Sequence, residues 1–359
     1  MLHATIMAGG SGTRFWPASR ADCPKQLLAL AGDKTMMQAT VGRLAGMVSP
    51  EQLLIITNRS LVDAICHQLP DVPVNRVLGE PCRRNTAPCV GLAAALVSAE
   101  DPDGTMVVMP ADHLISPEEV FQQAIEHAVE LVDEDPGRII TFGIPPTHAA
   151  SSFGYIERGT DSHTGKKIPT YTVRQFHEKP SVDVARGYLD AGSFYWNSGI
   201  FVWKAATILS ALEKYEPEMH ARLQVIAEAI GTDSFEQVLD QEFAAIEGTS
   251  IDYAVMERHD NVLVVESPFQ WDDVGNWQSL ERIHGVDQQG NTIVGQHLGI
   301  DTSRSIIRGS PDHLVVTFGM DNCIIVHTDD ATLVAHRDDE EAIRRIVQQL
   351  EEKGLDKYL

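Results

Sequence analysis

Short β-rich runs alternate with helical patterns from residue 2 to about residue 143, and this alternation constrains the fold more than any other feature of the chain. Leu2 to Met7, Leu53 to Thr57, Val74 to Leu78, Met106 to Met109 and Arg138 to Phe142 read as strands. Strands separated by helices imply βαβ units and a parallel sheet. Between the last two runs a helix is predicted, with Ser116 as its cap, Pro117 in its first turn and Glu119 completing a capping box. On an open α/β sheet, ligands bind beyond the carboxyl ends of the strands, so the loops there are the place to look for chemistry.

A length of 359 residues suggests about two domains. From roughly residue 150 to 280 strands such as Tyr171 to Phe176 mix with helices such as Ala205 to Tyr215, an elaboration completing the same site. After Gly285, Thr292 to Val334 holds short β-branched runs broken by Gly, Asp and Ser, a small β-rich appendage. A last helix is expected from about Asp339, with Asp338 and Glu341 forming a capping box and Ile343, Ile346, Val347 and Leu350 an apolar stripe. Its acidic start answers the helix dipole.

A formal charge of -23 leaves no basic field for nucleic acid or anionic lipid, so neither nucleic acid nor membrane is expected as a partner. Anionic substrates remain open if the few basic residues gather locally, which makes Arg14, Arg20, Lys25, Arg84 and Lys179 worth following. Five cysteines without C-x-x-C spacing argue against a disulfide framework or a zinc ribbon. The start of the chain carries no leader pattern, and the longest nearly apolar stretch, Ala87 to Ala99, is too short to span a bilayer. A cytoplasmic location is expected.

The first strand runs directly into Gly9-Gly10-Ser11-Gly12-Thr13-Arg14-Phe15-Trp16-Pro17, followed by Arg20 and Pro24-Lys25-Gln26. Glycines let backbone N–H groups approach phosphate oxygens, although alone they fit a plain tight turn as well. A dinucleotide fold wants glycine or alanine where Phe15 stands, even though Asp33 lies near the distance of a ribose-binding acid. A P-loop needs Lys directly after Gly12. What is left is a glycine loop with a basic residue inside it and a lysine at its far end, which suits a mobile triphosphate clamp.

G-G-x-G-T-R-x-W-P-x-S-R followed by P-K-Q resembles the signature of the sugar nucleotidyltransferases, specifically the mannose-1-phosphate guanylyltransferases. Further blocks look like those of the family, in family order: Glu80-Pro81 with Arg84 to Pro88, Pro110 to His113, Phe153 to Ile156, Phe176 to Pro180, Trp196 to Gly199, Ser250 to Glu257 and Trp271 to Gly275. The resemblance covers about residues 5 to 280, and the β-rich tail is similar to the family's short left-handed β-helix. It implies an α/β fold with a Rossmann-like, mixed and mainly parallel sheet. The expected divisions are a catalytic domain over 1–282, a left-handed β-helix-like domain over 283–336 and a terminal helix over 337–359. Phe15, Leu27 and Asn276 depart from the usual family residues, none of them at a charged or metal-binding position. Longer family members carry a sugar-phosphate isomerase domain, and a single activity is expected of this chain.

Asp112 follows an apolar strand and suits Mg²⁺, a hard cation held by one or two carboxylates together with substrate phosphates. The plainer reading is a turn-capping aspartate. A second carboxylate would come from Asp272 or Asp273, and the family's W-x-D-x-G pattern selects Asp273, leaving Asp272 as a cap or supporting acceptor. The resemblance puts Lys25 on the nucleotide phosphates, Lys179 on the sugar phosphate and Arg14 against charge on the leaving pyrophosphate. It gives Gly9, Gly10, Gly12 and Thr13 to the nucleotide, and makes Glu178 and Asn197 similar to sugar-hydroxyl contacts, with Gly154 letting backbone approach the sugar. Glu80 with Asn85 is expected to select the base, since a carboxylate accepts from guanine N1–H and N2–H₂. The alternative for Glu80 is a surface ion pair with Arg83 or Arg84.

His113 receives no role, and Trp196, Trp203, Trp271 and Trp277 are expected as core and wall. The expected activity is transfer of GMP from GTP to mannose 1-phosphate with Mg²⁺ as cofactor. Its rivals are the same chemistry with another sugar, such as glucose 1-phosphate, a nucleotide-sugar sensor without chemistry, and a nicotinamide dehydrogenase, disfavoured by Phe15. Oligomeric state is not fixed by the sequence, but the β-rich tail and the last helix offer apolar surface for a homodimer.

Overall fold

The computed structural model describes residues 1–10, 12–162 and 168–359, with the side chains of 340–342 left aside. By packing, the chain divides into two compact units. The first comprises Met1–Gly9, Arg43–Pro110 and Ile115–Trp271, and the second Gly10–Gly42, Ala111–Leu114 and Asp272–Leu359.

The first unit is built on a nine-stranded sheet. Its strands are β1 (Leu2–Ala8), β2 (Leu53–Asn58), β3 (Val77–Glu80), β4 (Thr105–Pro110), β5 (Ile139–Ile144), β6 (Tyr155–Asp161), β7 (Thr170–His177), β8 (Phe194–Lys204) and β9 (Val262–Glu266). They lie in the order β3-β2-β1-β4-β8-β5-β9-β7-β6. The first four are mutually parallel, as the βαβ pattern requires. Their carboxyl ends therefore share one edge, where Gly9 and Glu80 emerge. β8 then inserts antiparallel to both β4 and β5, giving the sheet its mixed character.

β2, β4 and β5 are almost wholly buried, which is why they read as continuous apolar runs without alternation. The apolar stretch Ala87 to Ala99 is the helix Thr86–Glu100, buried from Ala87 through Ala95 in the core that also holds Leu212, Leu223 and Ile226. No helix among the described residues is long and apolar enough to cross a membrane.

Two local expectations need correction. Val74–Arg76 is a tight turn with Val74 70% exposed, closed by Arg76 N–H donating to the Pro73 carbonyl, and the strand begins only at Val77. The helix predicted from Ser116 starts at Glu118, with Pro117 in the cap position and no side-chain cap. Ser116 is spent instead on the short strand Leu114–Ser116, too far back to reach the first turn. Glu118 and Glu119 still face the positive end of that helix.

In the second unit, Thr292–Val294, Ile306–Arg308 and Cys323–His327 stack as parallel rungs, and Thr332–His336 closes the sheet antiparallel. A second parallel pair joins Gln296–Ile300 to Leu314–Phe318. Successive parallel rungs without intervening helices are the β-helix-like arrangement expected of the tail. The last helix spans Glu340–Glu352 with Asp339, not Asp338, in the cap position and no side-chain cap. Asp338 instead accepts from Asn322 Nδ2 at 2.9 Å, and the predicted contribution of Glu341 lies outside the described side chains. The apolar stripe of this helix is used within the unit. Ile343 is buried, and Ile346, Val347 and Leu350 pack with it on a core of Phe15, Trp16, Trp277, Ile306 and Leu333. All five cysteines are free thiols.

Candidate active site

Within the second unit, the glycine loop closes through one residue that no other side chain can replace. Gly12 sits at φ 58°, and a Cβ there would lie 2.4 Å from the Lys25 backbone nitrogen. The turn Thr13–Phe15 follows, with Phe15 N–H donating to the Gly12 carbonyl at 3.0 Å. Its apolar side is fastened down. Phe15 meets Trp277 edge-on at 5.0 Å between centroids. The Trp277 indole N–H donates to the Trp16 carbonyl at 3.1 Å, and the Trp16 indole N–H donates to the Tyr358 carbonyl at 2.8 Å. Thr13 and Arg14 are left exposed.

Lys25 is buried in the turn Lys25–Leu27, and its ammonium donates to the Asp112 carboxylate at 2.7 Å and to the Asp273 carbonyl at 2.5 Å. Gln26 ties the same turn back to the loop by donating to the Gly10 carbonyl at 3.2 Å. Burial alone would raise the Asp112 carboxyl, but the Lys25 ammonium and His113 outweigh it and hold the group below its ordinary value. Asp273 goes the other way: burial raises its carboxyl against the pull of Lys25, and the neighbouring Asp272 adds to the rise. Asp272 is fully engaged, accepting Val274 N–H at 2.8 Å and pairing through both oxygens with Arg282. Asp272 is thus held by partners of its own, while Asp273 lines a cavity of about 400 Å³ together with Gly12, Thr13, Arg14, Lys25 and Asp112. His113, which the sequence left without a role, lines it too, as does Arg344 of the last helix.

The first unit carries two further groups. Glu80 ends β3, is only 6% exposed, and its Oε1 has no hydrogen-bond partner. Burial pushes its carboxyl up to about 7, opposed by a hydrogen bond from Cys89. A surface ion pair does not describe such a residue, and Arg84 donates to the Ala244 carbonyl instead. A Cβ on Gly9 would stand 4.0 Å from Glu80 Oε2. Asn85 adopts φ 68°, and its Oδ1 accepts from Thr86 N–H at 2.9 Å to cap helix Thr86–Glu100.

Gly154, Glu178 and Asn197 are brought together by register. Tyr155 of β6 pairs with His177 on one side and Trp196 on the other, so the next residue along each strand meets the same spot. A Cβ on Gly154 would fall 2.7 Å from Glu178 Oε2, so the space glycine leaves is taken by that carboxylate. Asn197 N–H donates to the Gly154 carbonyl at 2.8 Å. Lys179, at φ 43°, places its ammonium 2.8 Å from Glu178, a hydrogen bond that raises its pKa.

Asp252 is the residue here that sequence reasoning passed over. It accepts from Asn197 Nδ2 at 2.8 Å, and burial with the nearby Glu178 carboxylate pushes its own carboxyl up to about 6. An acid inside the apolar run Ile251 to Met256, of which Ala254, Val255 and Met256 are buried, was the available signal. The four tryptophans are structural as expected: Trp203 and Trp277 are fully enclosed, Trp196 nearly so, and Trp271 half-buried.

Residues 3–290 match the Nucleotidyl transferase family, and residues 295–350 match the MannoseP isomerase/GMP-like beta-helix domain. A mannose-1-phosphate guanylyltransferase of Escherichia coli (strain K12) is 37% identical over 98% of this chain and 74% of its own length. The xanthan biosynthesis protein XanB of Xanthomonas campestris is 37% identical over 97% of this chain and 73% of its own. A crystal structure from Thermus thermophilus, described as a mannose-1-phosphate geranyltransferase, superposes with a TM-score of 0.86 at 32% identity, covering 98% of this chain and 99% of that one. With a mixed α/β sheet and a glycine loop at the end of its first strand, the chain is an enzyme of the nucleotidyltransferase class. Within that class it belongs to the mannose-1-phosphate guanylyltransferase family.

Proposed function

We propose that the chain transfers GMP from GTP to mannose 1-phosphate, releasing pyrophosphate and forming GDP-mannose, in the cytoplasm. The observation that carries this reading is the Lys25 ammonium held between Asp112 and the Asp273 carbonyl beneath the glycine loop. A phosphate oxygen of the sugar phosphate attacks the α-phosphorus of GTP. The bond from that phosphorus to the bridging oxygen breaks, and pyrophosphate departs with the electron pair. Transfer of this kind asks the protein for positioning and charge stabilisation rather than covalent chemistry.

Asp112 and Asp273 fit Mg²⁺: both offer hard oxygen donors, and Lys25 keeps Asp112 ionised. Among the described residues no three His, Cys, Asp or Glu converge as a self-sufficient metal site, and an ion shared with substrate phosphates needs only two carboxylates. When bound, the ion would neutralise the phosphates and hold nucleophile and leaving group in line.

In this reading Gly9, Gly10, Gly12 and Thr13 receive the triphosphate, Arg14 meets the charge that grows on the pyrophosphate, and Lys25 holds the nucleotide phosphates. Glu80 accepts from the guanine edge and Asn85 donates its amide nitrogen, its oxygen being committed to the helix cap. Glu178 and Asn197 receive the sugar hydroxyls, the latter oriented by Asp252, while Lys179 receives the sugar phosphate. The active form is a homodimer.

Pyrophosphate release measured for each pairing of GTP, ATP, UTP and dTTP with mannose 1-phosphate and glucose 1-phosphate tests the reading. GTP with mannose 1-phosphate is expected to be preferred by at least about 100-fold in kcat/KM, a discrimination within reach of buried hydrogen-bonding groups. Preference for another pair assigns a different nucleotide sugar, and binding without release in any pair leaves a sensor.

A further inference from the structure

The last helix does more than cover the core of its unit. Ile343 is 4% exposed and fixes the helix by rotation, because it packs with Phe15, Trp16 and Trp277, the aromatic side of the glycine loop. The Trp16 indole N–H also donates to the Tyr358 carbonyl, close to where the helix ends. Residues one apart on a helix project about 100° from each other, so seating Ile343 determines where Arg344 points. Arg344 lines the same cavity as Thr13, Arg14, Lys25, Asp112 and Asp273.

We infer that Arg344 is a binding residue for the β- and γ-phosphates of the nucleoside triphosphate, and so for the departing pyrophosphate. The inference rests on the reading of the cavity as the polyphosphate site. Two carboxylates line that cavity, and the Lys25 ammonium is already shared between Asp112 and a carbonyl, so Lys25 does not balance the charge of an incoming triphosphate alone. Arg14 on the loop and Arg344 on the helix bring two guanidinium groups to the same space from distant parts of the sequence. Guanidinium presents its donors as a planar fork that matches phosphate oxygens two at a time, and it stays charged throughout. In a chain with a net charge of -23, such local cations are what make an anionic ligand tolerable. Docking of the helix then couples two things: it supports the loop through Phe15 and Trp16, and it delivers a phosphate ligand.

Calorimetric titration with inorganic pyrophosphate tests this on the full chain, using Arg344→Gln, Arg344→Lys and, as a control of equal charge change on the same helix, Arg345→Gln. Loss of a charge-assisted bidentate contact is expected to weaken pyrophosphate binding about tenfold in Arg344→Gln and less in Arg344→Lys, with Arg345→Gln within about twofold of the parent. In turnover, KM for GTP should rise in Arg344→Gln while KM for mannose 1-phosphate stays, and thermal unfolding of the lysine variant guards against misfolding. The inference is overturned if Arg344→Gln binds pyrophosphate as the parent does, if Arg345→Gln loses as much, or if the parent does not bind pyrophosphate. A parent that binds pyrophosphate through Arg344 but turns over a different nucleotide or sugar would sink the guanylyltransferase reading and leave this one standing.

Discussion

At the scale of single residues, the Lys25–Asp112 pair sets what a mutation can separate. Asp112→Asn removes the negative charge of a proposed metal ligand but keeps its size, and turnover is expected to fall by at least about 100-fold. Asp112 is 36% exposed but Lys25 only 8%, so the variant also loses stability by leaving a buried ammonium without its counter-charge, a loss that the retained amide oxygen lessens by still accepting from Lys25. Activity within tenfold of the parent, in a variant with unchanged circular dichroism, would remove Asp112 from the chemistry. Glu80 gives a test by pH. Its carboxyl is raised by burial to about 7, whereas the unfolded chain ionises near the ordinary value of 4.5. Between those two pH values the native state holds a proton that the unfolded state has lost, so stability falls as pH rises through that window, by about 3 kcal/mol in all. Glu80→Gln has no such proton, and its urea-unfolding free energy should lack that part of the slope between pH 4.5 and 7; parallel curves for the two proteins would contradict the buried, protonated carboxyl. Gly12, Lys25, Asp112 and Asp273 were all legible in the sequence because each sits inside a compact motif at a strand or turn end. Asp252 was marked only as an acid inside an apolar run and Arg344 not at all, because what gives each its place is a partner or a cavity wall far away along the chain.

At the scale of elements, β1, β2 and β4 could be read almost to the residue, since buried parallel strands are continuous apolar runs, whereas β3 was placed three residues early over an exposed turn. Helix starts were less legible. Ser116 and Asp338 both have cap chemistry, yet one is drawn into a short strand and the other into a hydrogen bond with Asn322. Capping side chains are recruited by whichever backbone or amide is nearest, and that is decided by tertiary packing. The elements that hold the glycine loop make a sharper case. Trp277 is fully buried, supports Phe15 edge-on and donates to the Trp16 carbonyl. Trp277→Ala should cost about 3 to 5 kcal/mol by urea unfolding. Because the loop loses its floor, the folded fraction should also lose turnover well beyond what its population explains. Full specific activity per folded molecule would mean that the loop keeps its shape without that aromatic support.

At the scale of the whole molecule, the alternation along Gln296–Ile300 and Leu314–Phe318 is inverted. In the paired strands His297 and Thr317 hydrogen-bond to each other, and Thr317 is joined by Thr302. The outward set is Leu298, Ile300, Leu314, Val316 and Phe318, each 49% to 72% exposed. A strand pair with one solvated face ordinarily turns its apolar set inward, and contiguous exposed apolar surface of this kind marks an association face. The proposed homodimer uses this face rather than the stripe of the last helix, which is consumed by its own core. Two copies carrying -23 each repel at long range, and at physiological salt that repulsion is screened within about 8 Å while apolar contact is not. Association should therefore tighten as sodium chloride is raised, the opposite of a dimer held by ion pairs. Replacing Val316 and Phe318 by lysine puts charge at the centre of the outward set without touching His297, Thr302 or Thr317, so the rung itself should survive. Light scattering is expected to report twice the chain mass for the parent and the single-chain mass for the double variant at equal concentration. A variant that keeps the parent mass would acquit this face, and a parent that is monomeric at every salt concentration would dispose of the homodimer altogether.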